Sequence, residues 1–197
     1  MPKPQDIRNG LQAIVINYSN FAIIWHIIFY LLIAAIILNW EPSNRLLEII
    51  ICLPILSVSI FAWLTGNPFN GSVFLIATIL LMIFGFKTDT RSINYSELTY
   101  IIAGIIMILF GLVYPHFIKP DSILKYLYVS PVGLIPCPTL SAIIGFALVF
   151  NGFGSQPVTL ILVSLGLFYG IFGVLKLKVY LDLFLLLGTL TLLIKYL

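Results

Sequence analysis

The run FAIIWHIIFYLLIAAIILNW, Phe21 to Trp40, contains no Asp, Glu, Lys or Arg, and runs like it recur along the chain. A helix that crosses the hydrocarbon core of a bilayer needs about 20 predominantly apolar residues. Only helices and closed barrels satisfy the backbone in lipid. Barrel strands would alternate polar and apolar residues, whereas these runs are apolar on every side, so they predict helices. The sequence therefore predicts an all-α, polytopic transmembrane bundle of about seven helices, or six with a re-entrant segment, in one domain over 1–197.

Composition supports this. Of the 197 residues 61% are hydrophobic and 9% charged, against roughly 25% charged in a soluble domain. Ten basic and seven acidic side chains cannot cover a soluble surface of this size. That excludes a water-soluble enzyme, a nucleic-acid-binding module and a disordered chain. The net charge of +3 reads as a topology signal rather than a nucleic-acid surface. Cys52 and Cys137 form neither a disulfide framework nor a CxxC metal pattern. The N-terminal segment is not a clean signal peptide, and the first span is expected to be retained.

The expected spans are Tyr18 to Trp40, Arg45 to Thr65, Phe69 to Phe86, Leu98 to Phe117, Thr139 to Phe150, Pro157 to Leu175 and Val179 to Tyr196. Pro54 should kink the second. The fifth is short for a crossing, so part of the Pro-rich segment before it is expected at membrane depth. With seven spans, Lys3, Arg8, Lys119, Lys125, Lys176 and Lys178 fall on the side of the N-terminus. Arg45, Lys87, Arg91 and Lys195 fall on the other. The excess of Lys and Arg favours a cytoplasmic N-terminus.

Tyr114-Pro115, followed by Pro131 to Leu140 as PVGLIPCPTL, resembles an uncharacterised family of bacterial multi-pass inner-membrane proteins, a domain of unknown function. Its hallmark is Pro-Cys-Pro-Thr with a preceding Gly and an upstream Tyr-Pro. Pro136, Cys137, Pro138 and Thr139, with Gly133, match it. Asn17 to Trp25, Asn67-Pro68 and Asp182 are similar to weaker family features in the same order. Two departures stand out: Phe61, Ala62 and Trp63 occupy the region where the family often has a His, and Leu140 replaces a second Thr. The resemblance implies a polytopic protein of the bacterial cytoplasmic membrane and brings no activity with it.

Several residues are candidates for chemistry. Pro136 and Pro138 remove backbone donors on both sides of Cys137, which predicts a broken helix with Thr139 capping the regular part. Broken helices build transporter sites; the same residues also serve as a plain helix start. Asn67-Pro68 opens the third span on the same side, a second interrupted start that suggests a shared vestibule or simply a tight turn. His26 lies within the first span, where an ionisable group is either a site residue or an interhelical hydrogen bonder. Glu48 and Asp182 either relay protons or pair with Arg45 and Lys178 at helix spacing. His116 near Cys137 would make a thiol–base pair, but no orienting carboxylate is identifiable. Gly166, Gly170 and Gly173 include a GxxxG, which packs helices within the protein or in a homodimer.

The chain carries no phosphate-binding loop, no dinucleotide fingerprint and no HExxH. No cofactor, metal site or catalytic residue is assigned. Two functions are expected to compete. One is a small transporter or permease-like protein using Pro136, Cys137, Pro138, Thr139, Asn67, His26 and Asp182. The other is a non-catalytic accessory protein acting through a homo-oligomer or a membrane partner. Both have the lipid bilayer as their medium and neither involves nucleic acid.

Overall fold

The computed structural model describes residues 4–38, 40–88, 94–118 and 122–196. Lys3, Arg91 and Lys119, used in the charge count, lie outside the described residues. The described residues are all-helical and contain nine α-helices rather than about seven. They are α1 Pro4–Asn17, α2 Ser19–Ile37, α3 Asn44–Leu64, α4 Pro68–Gly85, α5 Leu98–Leu112, α6 Tyr126–Val129, α7 Pro136–Val149, α8 Gln156–Leu175 and α9 Asp182–Tyr196. The surplus comes from the one-turn α6 and from α1. Hydropathy overlooks α1, but its Leu11, Ile14 and Val15 are buried, the spacing of one face of an amphipathic helix.

Four helices, α2, α3, α4 and α8, are long and apolar enough to cross a membrane. Ser43 caps α3 by accepting a hydrogen bond from the Leu46 N–H, and α3 continues through Pro54. Outward-facing positions are as greasy as the core. Ile24, Ile27 and Leu31 on α2, and Ile76, Ile79 and Ile83 on α4, are all exposed.

The centre of the bundle is α7, in which every residue except Cys137 is buried. Its antiparallel partner is α5, which meets it backbone to backbone. A methyl on Gly104 would lie 2.6 Å from the Gly145 carbonyl, and one on Gly111 would lie 2.5 Å from that of Pro138. Such contacts are possible only between helices that present small residues. α7 runs antiparallel along α5. Its 14 residues span only about 21 Å at the α-helical rise. The buried stretch Val132, Leu134 and Ile135 extends it as irregular backbone, tolerable at depth because protein surrounds it.

Antiparallel contacts fix which helix ends come together. The end of α3, the start of α4, the end of α5, the start of α7, the end of α8 and the start of α9 share one pole of the bundle. At the opposite pole Lys195 donates to the Ser96 hydroxyl and Tyr196 to the Asn151 carbonyl.

Candidate functional site

Asp182 is the first residue of α9, and it is 1% exposed. A carboxylate so placed needs partners. The Tyr114 hydroxyl donates to Asp182 Oδ1 at 2.7 Å, and the Cys137 thiol donates to Asp182 Oδ2 at 3.2 Å. Tyr114 follows α5, Cys137 sits in the first turn of α7, and Asp182 opens α9, so three chain segments 45 and 68 residues apart meet at one carboxyl group. Gly173 on α8 makes the space: a methyl there would overlap the Asp182 carboxylate. The expected pairing of Asp182 with Lys178 is thus replaced by the phenol and the thiol, and Lys178 is exposed.

The Pro-Cys-Pro segment acts differently from the prediction. Pro136 and Pro138 do not break the helix: α7 begins at Pro136, with Ile135 as its N-cap residue. First-turn N–H groups have no intrahelical acceptor, so proline there sacrifices nothing. Thr139 is not the cap. It lies one turn inside, donates to the Ile135 carbonyl at 2.7 Å and accepts the Gly133 N–H at 2.8 Å. That clasp holds the approach loop, in which Gly133 takes a φ of +76° with the Trp25 ring packed against it, a conformation and a closeness open to glycine.

Around Cys137 and Asp182 lies a cavity of about 570 Å³, also lined by Asn67, Asn70 and Pro136. Asn67 caps α4, its side chain accepting the Asn70 N–H at 3.1 Å. Asn70 Oδ1 in turn accepts from the Tyr169 hydroxyl of α8 at 3.0 Å. The amphipathic α1 contributes Ile7, Gly10 and Leu11 to its wall. Cys137 is half-buried and borders the cavity, whereas Cys52 is buried elsewhere.

Four of the seven expected pathway residues therefore line one space: Asn67, Pro136, Cys137 and Asp182. The other three do not. Pro138 and Thr139 are buried in the helix packing. His26 is 1% exposed, with Nδ1 2.8 Å from the Ala22 carbonyl and Nε2 2.9 Å from that of Leu112; it ties α2 to the end of α5. His116 also stays away from Cys137. It shares a separate polar depression with Arg8, Gln5 and Gln12. Burial first, and the Arg8 charge second, hold its imidazole below the ordinary histidine value.

Sequence reasoning missed Tyr169 and the role of Tyr114. Periodicity shows that Tyr169 lies on an apolar helix, but its hydroxyl partner is 99 residues away. The glycines of α8 face α9: Gly166 meets Thr189, Gly170 meets Leu186 and Gly173 meets Asp182. That face is occupied within the protein, so it is not available as a homodimer surface. Glu48 does not pair with Arg45 as expected. Thr88 donates to its Oε1 at 3.1 Å, and Arg45 donates to the Thr88 carbonyl instead.

No family model, curated protein or solved structure matches the chain.

Proposed function

We propose that this chain is a multi-pass protein of a bacterial cytoplasmic membrane, with seven crossing helices, and that it binds a small solute in the Cys137–Asp182 cavity as a transporter or permease-like protein does. One observation carries the reading. In a bundle with few polar side chains, Asn67 and Asn70 of the α4 start, Tyr114, Cys137, Tyr169 and Asp182 come from five segments to border one cavity. Convergence of this kind costs packing and desolvation that a purely structural bundle has no reason to bear. The cavity lies at the pole where the proline-led starts of α4 and α7 come together, where broken or freshly started helices place sites in transporters. Few polar groups suit a solute that is mostly apolar rather than a sugar or a nucleotide.

Thiol labelling tests this. A membrane-impermeant maleimide applied to the purified protein should modify one thiol, Cys137, in the folded state, slowly because Asp182 holds its proton, while Cys52 stays unmodified until denaturation. Cys137→Ala should abolish the folded-state reaction. A Cys137 that reacts only after unfolding would overturn the solute-cavity reading.

A further inference from the structure

The walls of this cavity carry information about charge. Resting on the solute-cavity reading above, we propose that the cavity selects lipophilic monocations, meaning protonated or quaternary ammonium compounds and their phosphonium analogues with apolar substituents. Asp182 is the buried acidic group of the lining. The other two ionisable side chains with a formal charge at neutral pH, Asp6 and Lys176, are exposed residues at the rim.

The donors near Asp182 are already committed. The Tyr114 hydroxyl and the Cys137 thiol each point at one of its oxygens, and the Tyr169 hydroxyl is given to Asn70. A carboxylate has about four lone-pair positions, and two are used here. The Asn67 and Asn70 side chains are engaged through their oxygens, which leaves carboxamide N–H donors at the start of α4; beside Asp182 itself the site offers a ligand acceptor capacity and no uncommitted hydroxyl proton. An anion would meet a like charge in an apolar space. A neutral hydrocarbon would leave the carboxylate without a counter-charge. A cation supplies it.

The aromatic lining points the same way. Phe69, Tyr114, Phe117, Phe168, Tyr169 and Phe172 all border the cavity, and ring faces attract cations most when water is excluded. A bare metal ion fits less well: among the described residues no three His, Cys, Asp or Glu side chains gather into a ligand set. A hydrophilic cation would waste the greasy walls. Phe69 and Phe168, whose centroids are 5.9 Å apart, are 57% and 44% exposed on the outer apolar surface. These two rings thus belong both to the cavity lining and to the exposed apolar surface of α4 and α8.

Two probes of the same shape and opposite charge test the inference: tetraphenylphosphonium and tetraphenylborate, each titrated into the full-length protein in detergent. Binding is read by calorimetry and by protection of Cys137 from maleimide. The expected result is one tetraphenylphosphonium site that protects Cys137 and binds at least about tenfold tighter than tetraphenylborate, equivalent to about 1.4 kcal/mol. Asp182→Asn should remove that preference, and Asp182→Glu, which keeps the charge, should retain it should the Asn variant fail to fold. Equal affinity for both probes, with Cys137 protected by each, overturns the cation inference and leaves the solute cavity standing. Preference for the borate, or no binding while free Cys137 still labels in the folded protein, also overturns it. A thiol that never labels in the folded protein instead defeats the underlying reading.

Discussion

The two poles of this bundle each bury a carboxyl group, and they handle it in opposite ways. At the α7 start, Asp182 has a donor on each oxygen and open space beside it. At the α3 start, Glu48 is equally buried, but Thr88 reaches only Oε1 and Oε2 has no partner. Around Glu48 the packing is close: a methyl on Gly85 would stand 2.9 Å from Oε2. One pole spends its polar side chains on lining a cavity. The other spends them on joining loops and helix ends, as Ser96, Asn151, Lys195 and Tyr196 do. The contrast teaches that a buried acid alone does not mark a site in a membrane bundle; the space next to it and the fate of the neighbouring donors do.

Substitutions can break this contrast in order of expected size. Gly111→Ala should be the most damaging, by about 3 kcal/mol, because the added methyl meets the Pro138 backbone, which cannot swing aside. Thermal unfolding in detergent would register it, and a neutral result would mean that α5 and α7 do not meet backbone to backbone. Gly173→Ala should cost about 2 kcal/mol by overpacking and should also displace the Asp182 carboxylate, so maleimide should then react with Cys137 faster. Gly10→Ala, with nothing near it, is the matched control in the same cavity lining.

A direct comparison of the two acids comes next. Asp182→Asn disturbs two hydrogen bonds and should cost about 1–2 kcal/mol, whereas Glu48→Gln disturbs one and should cost less than about 1 kcal/mol. The reverse order would sink the distinction between the poles. Tyr169→Phe removes only the bond to Asn70 and should cost about 1 kcal/mol, with a change in probe affinity at the cavity.

The smallest effect concerns pH. His116 is held below its ordinary value of 6.5, so the unfolded chain takes up a proton at a pH where the folded one does not. Unfolding therefore binds protons in that window, and stability falls as pH drops below about 6.5. Solvent screening at this half-exposed site keeps the slope shallow. His116→Gln should flatten the difference in melting temperature between pH 7 and pH 5; an unchanged slope would place the titration elsewhere.

Some of this was legible in the chain itself. The runs that become α3, α4 and α8 begin and end within a residue or two of the helices, because Ser43, Asn67 and Pro157 stop or start a helix by local chemistry whatever surrounds them. The Pro-Cys-Pro start shows the limit. Proline is a breaker inside a helix and a good first-turn residue, and the residues alone do not say which turn they occupy.

Sequence by itself settled that this chain is helical and that its helices are greasy on all sides, since length, charge content and proline position act locally. Tertiary structure alone decided that Tyr114, Cys137 and Asp182 share hydrogen bonds, that His26 and Thr139 are fastened elsewhere, and that a cavity opens beside the acid. Those outcomes depend on how each helix is rotated about its axis and how closely glycines let neighbours approach. When every face is apolar, no hydrophobic stripe in the sequence records that rotation.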